Sequence, residues 1–320
     1  MLRLRREILD LLDEAPGEYV SGEMISQKLN VTRAAVWKQI RILKEEGFEI
    51  AGQTKKGYCL SQTPLSLNEW VLAKRLAAAS LEYEVYLEDE LKSTNARARE
   101  LVQQDGFQRQ LVLAKRQSSG RGRLKRQWEA PEGGLWLSVV LQPKISLADA
   151  AKITLAASLA VADALEECLS LRVGIKWPND LLFEELKLVG ILGEVVGEWN
   201  TVQALILGIG INGNFPREVL SPDLTATTLY EILGKHVDLN ALTASVLGHL
   251  AKQTAALEKQ AFQELRSRWL ERAAGLGREV RIRQEDRAIQ GVFKGITLDG
   301  ALLLDTEAGE MTFPAGDMMW

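Results

Sequence analysis

Apolar residues recur at helical spacing in three short segments near the start of the chain, and an alternating pattern follows them. The first segment, "RLRREILDLLDEA", is ended by Pro16 and Gly17, and the second, "SGEMISQKL", starts at a Ser cap. The third, "RAAVWKQIRILKEEGF", follows Thr32 and ends at Gly47, a typical helix stop. "EIAGQTKKGYCLS" then alternates apolar and polar positions around a basic turn. The pattern predicts three helices followed by a β-hairpin.

The apolar positions of the second and third helices mark the faces that should be buried. They are Met24, Ile25 and Leu29 on the second helix, and Ala35, Val36, Ile40 and Leu43 on the third. Three helices and a hairpin in this order are typical of a winged helix-turn-helix, which binds DNA through its third helix.

Charge supports a DNA-binding role for the third helix. Between Thr32 and Lys44 the chain has basic residues and no acid, so its cations could neutralise phosphates. A solvated basic helix in a small regulatory or dimerisation domain is the alternative. The candidate DNA contacts are Ser21, Gly22, Thr32, Arg33, Ala34, Lys38, Arg41, Lys55 and Lys56.

Beyond Pro64 the pattern changes to a mixture of strands and helices. "YEVYLEDEL", "QLVLAKRQ" and "GGLWLSVVLQP" predict strands, as do "VGIKWPNDLLFEELKLVGILGEVVGE" and "TVQALILGIGINGN". "STNARARELVQQDG" and "LADAAKITLAASLAVADALEECL" predict helices, and two more helices follow. From Gly277 onward, short alternating segments with Gly turns are typical of a small β-barrel. We predict an α+β chain of three domains, residues 1–63, 64–272 and 273–320.

Composition narrows the class of protein. The net charge is −4, so any nucleic-acid binding must come from a local patch. The amphipathic start of the chain carries acids, unlike a signal or transit peptide, and no apolar run reaches the roughly 18 residues of a membrane span. Cys59 and Cys168 have no motif spacing, and His236 and His249 are too few for a His-rich metal site. We therefore expect a cytoplasmic protein without a membrane anchor or a protein-held metal.

The segment "GRGRLKRQW" is the first candidate for chemistry. Gly120 and Gly122 would let the backbone approach a ligand, and Arg121 and Arg123 could hold a phosphate or carboxylate. The segment lacks the Lys-Ser/Thr ending of a Walker A loop and the third Gly of a Rossmann fingerprint. A basic surface loop is the alternative.

Two further segments combine polar side chains with predicted strands. "KWPND" supplies Lys176, Asn179 and Asp180, and Lys187 begins the apolar strand "LVGIL". A lysine beside a buried strand needs an anionic partner. Asp180 or a bound carboxylate could provide it, and an internal salt bridge is the simpler alternative. "GIGIN", ending at Asn212, would either make room for a flat ring or allow tight strand packing.

Together these segments carry a resemblance to a known family. "STN" at 93–95, "RQSSGRGRLKRQW" at 116–128, "KWPND" at 176–180, "KLVGIL" at 187–192 and "GIGIN" at 208–212 occur in the order found in biotin–protein ligases. With a winged helix in front, nearly the whole chain resembles the bifunctional kind, which is both a ligase and the repressor of the biotin operon. The resemblance implies a central domain similar to class II synthetases and a C-terminal SH3-like β-barrel.

The resemblance also implies roles for individual residues. The biotin-binding set would be Ser93, Thr94, Asn95, Gln117, Arg121, Gly122, Arg123 and Lys187, with Lys187 at the biotin carboxyl. The nucleotide-binding set would be Trp128, Lys176, Asn179 and Asn212. The catalytic set would be Lys187, Asp180, Arg121 and Arg123.

The implied reaction uses biotin, ATP and Mg²⁺ and has two steps. Biotin would first be converted to biotinyl-5′-adenylate and then be transferred to a lysine of a biotin carboxyl carrier protein. The adenylate would act as corepressor, and a homodimer formed through sheet edges would place two winged helices on operator DNA.

Two departures and two alternatives accompany the resemblance. Lys125 stands where the family has a Gly in the ligand loop, and Thr228 stands where a Ser is usual. A transcription factor that only senses a small acid is one alternative, although it would not need the phosphate-binding cations. A lipoate ligase is the other, and the "GRGR" segment favours the biotin branch.

Overall fold

The computed structural model describes residues 2–105, 109–146, 149–197, 203–284 and 287–320. Predicted segments that run through 106–108, 147–148, 198–202 and 285–286 lie, in those parts, outside the described residues. Packing divides the chain into two compact units, Met1–Lys74 and Arg75–Trp320. These units describe packing, and the functional boundaries after residues 63 and 272 stay predictions.

The first unit has the predicted order of helices and hairpin. Its strands β1 and β2 pair antiparallel, and Val20 forms a further bridge to Tyr58. The elements are α1 (Leu2–Asp13), α2 (Gly22–Lys28), α3 (Arg33–Glu45), β1 (Glu49–Gln53), β2 (Gly57–Gln62) and the start of α4 (Glu69–Ala78).

The helix boundaries of the first unit follow from the predicted caps. Ser21 Oγ accepts a hydrogen bond from the Met24 N–H at 3.0 Å, and Thr32 Oγ1 accepts one from the Ala35 N–H at 3.1 Å. Each bond satisfies a backbone donor that the first turn of a helix leaves free. Gly47 follows α3 with a φ of +93°, a conformation that glycine adopts without strain.

The core of this unit contains most of the residues that the pattern predicted, but not Met24. Ile25, Val36, Ile40 and Leu43 are buried, whereas Met24 is 41% exposed. Adjacent residues of an α-helix point about 100° apart, and α2 buries Ile25 and Ser26, so Met24 lies on the side that faces solvent. The prediction that Met24 shares the buried face is wrong.

The start of α4 packs on this same core. Trp70 joins the cluster around Phe48, and its Nε1 donates to Asp10 Oδ1 at 3.0 Å. Lys74 Nζ lies 3.1 Å from Asp10 Oδ1 and 3.0 Å from Asp13 Oδ2. These bonds hold the pKa of Asp10 below its ordinary value despite the opposing effect of burial, and raise the pKa of Lys74.

The second unit is built on a mixed sheet with the order β3-β4-β6-β10-β9-β8-β7, and β5 pairs with β4. Strands β3 and β4 are parallel and the other pairs are antiparallel. The strands are β3 (Glu84–Leu91), β4 (Gln110–Arg121), β5 (Gln127–Ala130), β6 (Leu135–Leu141), β7 (Gly174–Lys176), β8 (Asp180–Phe183), β9 (Leu186–Val196) and β10 (Ala204–Ile211).

Helices pack against this sheet and against one another, and a second sheet follows. The helices are α5 (Thr94–Asp105), α6 (Ala150–Leu169), α7 (Leu229–Leu233), α8 (Leu239–Glu258) and α9 (Phe262–Leu270). The second sheet is antiparallel, in the order β14-β13-β12-β11-β15. Its strands are β11 (Glu279–Gln284), β12 (Arg287–Ile296), β13 (Leu302–Thr306), β14 (Gly309–Phe313) and β15 (Asp317–Met319). The α+β class and the β-rich C-terminal segment are as predicted.

Candidate functional site

A cavity of about 250 Å³ lies over the central sheet of the second unit. It brings together nearly all of the predicted site residues, although they come from five separate segments. Those that line it are Ser93, Thr94, Asn95, Gln117, Arg121, Gly122, Arg123, Trp128, Asn179, Asp180, Lys187 and Asn212. Lys176 is not among them, because its ammonium lies 5.0 Å from the ring centre of Trp320.

The start of α5 forms a buried polar corner of the cavity. Gln117 Oε1 accepts hydrogen bonds from the Thr94 N–H at 2.8 Å and from Thr94 Oγ1 at 3.2 Å. Ser138 Oγ lies 2.7 Å from Thr94 Oγ1 and 2.6 Å from Asn95 Oδ1. Asn95 Nδ2 donates to Glu194 Oε2 at 2.8 Å. These bonds fix the hydroxyls and amides before any ligand arrives.

Sequence reasoning did not find Ser138 or Glu194. Ser138 is fully buried in β6, inside a segment that reads only as an apolar strand. The polar residue at its centre was the available signal, since a buried hydroxyl needs a partner.

The glycines of β9 and β10 make room for side chains of the protein itself. A Cβ at Gly190 would lie 2.6 Å from the Trp128 ring, and one at Gly210 would lie 2.9 Å from it. A Cβ at Gly208 would lie 2.3 Å from Asn95 Oδ1. The glycines of "GIGIN" therefore do both things that were considered for them. They make room for a flat ring, the indole of Trp128, and they allow tight packing inside the protein. The buried Nε1 of Trp128 finds no hydrogen-bond partner among the described residues, so it is a donor available in the cavity.

The end of β4 carries Arg121, and the loop from β4 to β5 carries Arg123 and Arg126. A Cβ at Gly120 would lie 2.4 Å from Trp128 O, so Gly120 permits close pairing of β4 with β5. This close pairing is a structural reason for Gly120, and the expectation that its backbone also approaches a ligand stays a prediction. A 3₁₀ turn, Arg123–Lys125, closes the loop, and Leu124 there has a φ of +53°. The side chain of Lys125 lies outside the described residues.

A carboxylate from the C-terminal sheet holds two arginines of this loop. Arg126 Nη2 lies 2.5 Å from Asp317 Oδ2, and Arg123 Nη1 lies 3.6 Å from Asp317 Oδ1. Arg123 Nη1 also donates to Gly316 O at 3.2 Å and to Asn179 Oδ1 at 3.4 Å. Burial lowers the pKa of Arg123, and the negative charges of Asp317 and Asp180 oppose that shift. No motif in the sequence connects Asp317 with the loop, so sequence reasoning missed it.

Lys187 and Asp180 form an ion pair at the wall of the cavity, with Lys187 Nζ 2.8 Å from Asp180 Oδ1. Lys187 Nζ also lies 5.1 Å from the ring centre of Trp128. Lys187 thus has the carboxylate partner that its position on β9 requires, and both charges remain at the cavity surface. Burial lowers the pKa of the nearby Lys176, and Asp180 opposes that shift.

Asn212 lines the cavity, and Thr228 caps the short helix α7 that follows it along the chain. Asn212 is 2% exposed, and its Nδ2 donates to Thr227 O at 2.9 Å. Thr228 Oγ1 accepts from the Glu231 N–H at 3.1 Å and caps α7. A hydroxyl is what this cap requires, so Thr satisfies it as Ser would.

The candidate DNA contacts occupy the first unit. Ser21 and Thr32 are used as helix caps, and Gly22 packs near Tyr58, where a Cβ would lie 3.4 Å from the ring. Arg33 Nη1 lies 3.7 Å from Glu23 Oε2, the one described acid within ion-pair distance of it. The exposed candidates are Thr32 before α3, Arg33, Ala34, Lys38 and Arg41 on α3, and Lys55 and Lys56 at the hairpin turn.

The described residues contain neither a metal-binding cluster nor a membrane-spanning helix. No group of three or more His, Cys, Asp or Glu side chains there could hold a metal ion. No described helix combines the length and the apolar character needed to cross a bilayer.

Comparison with known proteins assigns a class to this architecture. Residues 88–212 match the Biotin/lipoate A/B protein ligase family, residues 4–59 match an HTH domain, and residues 275–319 match the Biotin protein ligase C terminal domain. The class is therefore a biotin/lipoate-type protein ligase with an N-terminal HTH domain.

The relatives narrow this class to one family. The Bifunctional ligase/repressor BirA of Bacillus subtilis is 35% identical over 96% of this chain and 95% of its own length. That of Escherichia coli is 29% identical over 92% of this chain and 90% of its own. The chain belongs to the BirA family of bifunctional ligase/repressors, as the sequence resemblance predicted.

A solved structure supports the same assignment. The biotin protein ligase of Aquifex aeolicus in complex with biotin and ATP aligns with a TM-score of 0.63 and 33% identity. It covers 73% of this chain and 97% of that one, and confirms a biotin ligase fold.

Proposed function

We propose that this protein joins biotin to an acceptor lysine at the expense of ATP and also represses transcription of biotin genes. The observation that carries the proposal is the cavity, whose lining combines neutral hydrogen-bonding groups with Lys187 and the loop arginines. The relatives that match nearly the full chain bear both activities in their names.

The neutral groups suit the ureido ring of biotin. That ring has two N–H donors and one carbonyl, which match hydroxyls and amides. Ser93, Thr94 and Gln117 are our candidates for direct contact. The Asn95 amide is bonded at both its oxygen and its nitrogen, so we assign Asn95 to holding the corner in place.

In the first step a carboxylate oxygen of biotin bonds to the α-phosphorus of ATP, and the bond to the bridging oxygen breaks to release pyrophosphate. Repulsion between the two anions opposes this step, and fixed cations lower the barrier. We assign that role to Arg121, Arg123 and Lys187, with Lys187 at the biotin carboxylate. The ion pair with Asp180 holds the Lys187 ammonium at the wall of the cavity.

In the second step the acceptor lysine nitrogen bonds to the biotinyl carbonyl carbon, AMP leaves with the C–O electron pair, and the nitrogen loses a proton. Asp180 is our candidate to receive that proton. The loop held by Asp317 would exclude water from the adenylate. We assign Trp128, Asn179 and Asn212 to the nucleotide, and Lys176 to its phosphates from outside the described cavity.

The carboxylates around the cavity do not fit a resident Mg²⁺ site. Asp180 faces Lys187, Asp317 faces Arg126, and Glu129 accepts a hydrogen bond from the Ser221 N–H at 2.9 Å. Mg²⁺ prefers oxygen ligands that are free to complete an octahedron. We therefore place Mg²⁺ with the substrate, as the MgATP complex.

The partners follow from the same proposal. They are a biotin carboxyl carrier protein or another biotin-dependent carboxylase, operator DNA, and a second copy of the chain in the adenylate-bound state. The site of action would be the cytoplasm.

Exchange of labelled pyrophosphate into ATP tests the activation step. We expect exchange that requires biotin, and carrier-domain labelling when the acceptor is added. Exchange with lipoate in place of biotin would indicate the lipoate alternative. Binding of biotin with no exchange would indicate a sensor and would contradict the proposed ligase.

A further inference from the structure

The largest apolar side chain of α3 lies in solvent. Trp37 is 56% exposed, whereas Val36, Ile40 and Leu43 on the same helix are buried. None of the described residues accepts a hydrogen bond from its indole N–H. Tryptophan is highly buried on average, so an indole this exposed at the centre of a helix face calls for a partner.

Trp37 belongs to a stripe of residues at intervals of four along α3. Arg33 precedes it and Arg41 follows it, so the three lie one above another on the helix surface. The guanidinium carbon of Arg41 lies 5.5 Å from the centre of the Trp37 ring. The cation restrains the indole from one direction and leaves the rest of the ring exposed.

The surroundings of Trp37 specify the chemistry of the partner. Lys38 and Lys44 are exposed on the same helix, which therefore presents an apolar ring among cations. In duplex DNA an apolar group lies among phosphates where thymine carries its C5-methyl group into the major groove. Membranes also combine these features, but Val36, Ile40 and Leu43 of α3 lie in the core of the first unit, and Trp37 is the large apolar residue of the helix that is exposed.

We infer that Trp37 is a specificity-determining residue for operator DNA, and that its indole contacts a thymine methyl group in the major groove. The inference rests on the proposed repressor function. Trp37 is in the second turn of α3, close to the N-terminal part from which recognition helices contact base edges. Arg41 would then contribute charge and also fix the ring.

The first test is selection of bound sequences from a pool of random DNA duplexes, with the full chain in the presence of biotin and MgATP. The wild type should enrich a two-fold-related site that contains thymine at one fixed position per half-site. Trp37→Ala should lose the preference at that position and keep the others. Lys38→Ala, the adjacent exposed residue, should weaken binding and leave the base preferences unchanged.

The second test uses the wild-type protein and the selected site. Replacing the thymine with uracil removes only the C5-methyl group, and should weaken binding by about threefold to tenfold. The same replacement should not change the affinity of Trp37→Ala, because that variant has no ring to contact the methyl group. The wild-type measurement does not depend on the folding of a variant.

Two groups of outcomes separate the inference from the proposed function. If the wild type enriches no sequence, the repressor function fails. If it does enrich one, unchanged preferences in Trp37→Ala, or uracil binding as tight as thymine binding, would overturn the role of Trp37. A loss of dimerisation by Trp37→Ala without altered base preference would also overturn it and assign the ring to a protein interface.

Discussion

The ligand cavity and the exposed face of α3 both collect cations, but they hold them in different ways. In the cavity, Lys187 and Arg126 lie within 2.8 Å of carboxylates, and the amides of Asn95 and Gln117 are hydrogen-bonded to other groups of the protein. On α3, the nearest carboxylates to Arg33 and Arg41 are 3.7 Å away, and the side chains are mostly exposed. The difference indicates that a small ligand would meet cations held in close ion pairs, whereas a long polyanion would meet exposed ones.

The largest effect should come from removing the ammonium of Lys187 from the cavity. We expect Lys187→Ala to reduce biotin-dependent pyrophosphate exchange by about 100-fold or more, because Asp180 would be left as an uncompensated anion beside two anionic substrates. Lys115→Ala on β4, whose lysine pairs with the exposed Asp89, is the matched control. Unchanged exchange in Lys187→Ala would show that its assigned role is wrong.

A smaller effect is expected from the loop. Arg123→Ala should release the adenylate about tenfold faster, because a charge-assisted contact to its phosphate is lost. Filter retention of radiolabelled adenylate measures the rate, and Arg116→Ala, whose arginine is exposed and pairs with Glu90, is the control. If Asp317→Asn also speeds release, the carboxylate acts by holding the loop. If Arg123→Ala retains adenylate as the wild type does, Arg123 does not contact the adenylate phosphate as we propose.

The buried polar corner at the start of α5 provides the next comparison. Ser138→Ala removes a hydroxyl that reaches both Thr94 and Asn95, and should raise the KM for biotin about tenfold with less change in kcat. Steady-state kinetics of exchange measures both values. Ser158→Ala, another buried serine, bonded to Leu155 O in α6, should leave the KM for biotin unchanged. Equal effects of the two variants would indicate a general loss of stability.

On α3, a single change should matter less. Arg33→Ala should weaken operator binding by about threefold to tenfold and lower the salt dependence by about one counterion. Ligation should be unaffected, since Arg33 belongs to the first unit. Titrations at several salt concentrations test this, with Arg3→Ala on α1 as control. A parallel loss of ligation would contradict the separation of the two activities.

The smallest effect concerns stability. Asp10 has a pKa below its ordinary value of 3.8, so its contribution is present above that value and is lost as the pH falls through the lowered pKa. Asp10→Asn should therefore cost at most about 1 kcal/mol at neutral pH, since the pair is partly exposed. Denaturant unfolding at pH 7 and pH 3 measures it. A cost that grows toward low pH would contradict the assignment.

Local features of the fold could be predicted because neighbouring residues determine them. The caps at Ser21 and Thr32, the stop at Gly47 and the strand carrying "GIGIN" all follow from short stretches of sequence. Whether Met24 is buried could not be predicted from the sequence, because it depends on which face of α2 packs against the rest of the unit.

The sequence segments that form the site could be predicted, but the contacts that Ser138 and Asp317 make with them could not. The segments holding Arg123, Asp180 and Lys187 were recognisable, and they line one cavity. Ser138 and Asp317 were missed because strand pairing and packing of the second sheet bring them in, and neither leaves a periodic mark in the sequence.

The position of Asp317 has a consequence for biogenesis. It is the last residue along the chain that lines the cavity, yet it holds a loop made nearly two hundred residues earlier. A ribosome must therefore complete the C-terminal sheet before Arg126 finds its partner. During that interval the other residues that line the cavity have been synthesised, but the loop that carries Arg126 still lacks its carboxylate partner.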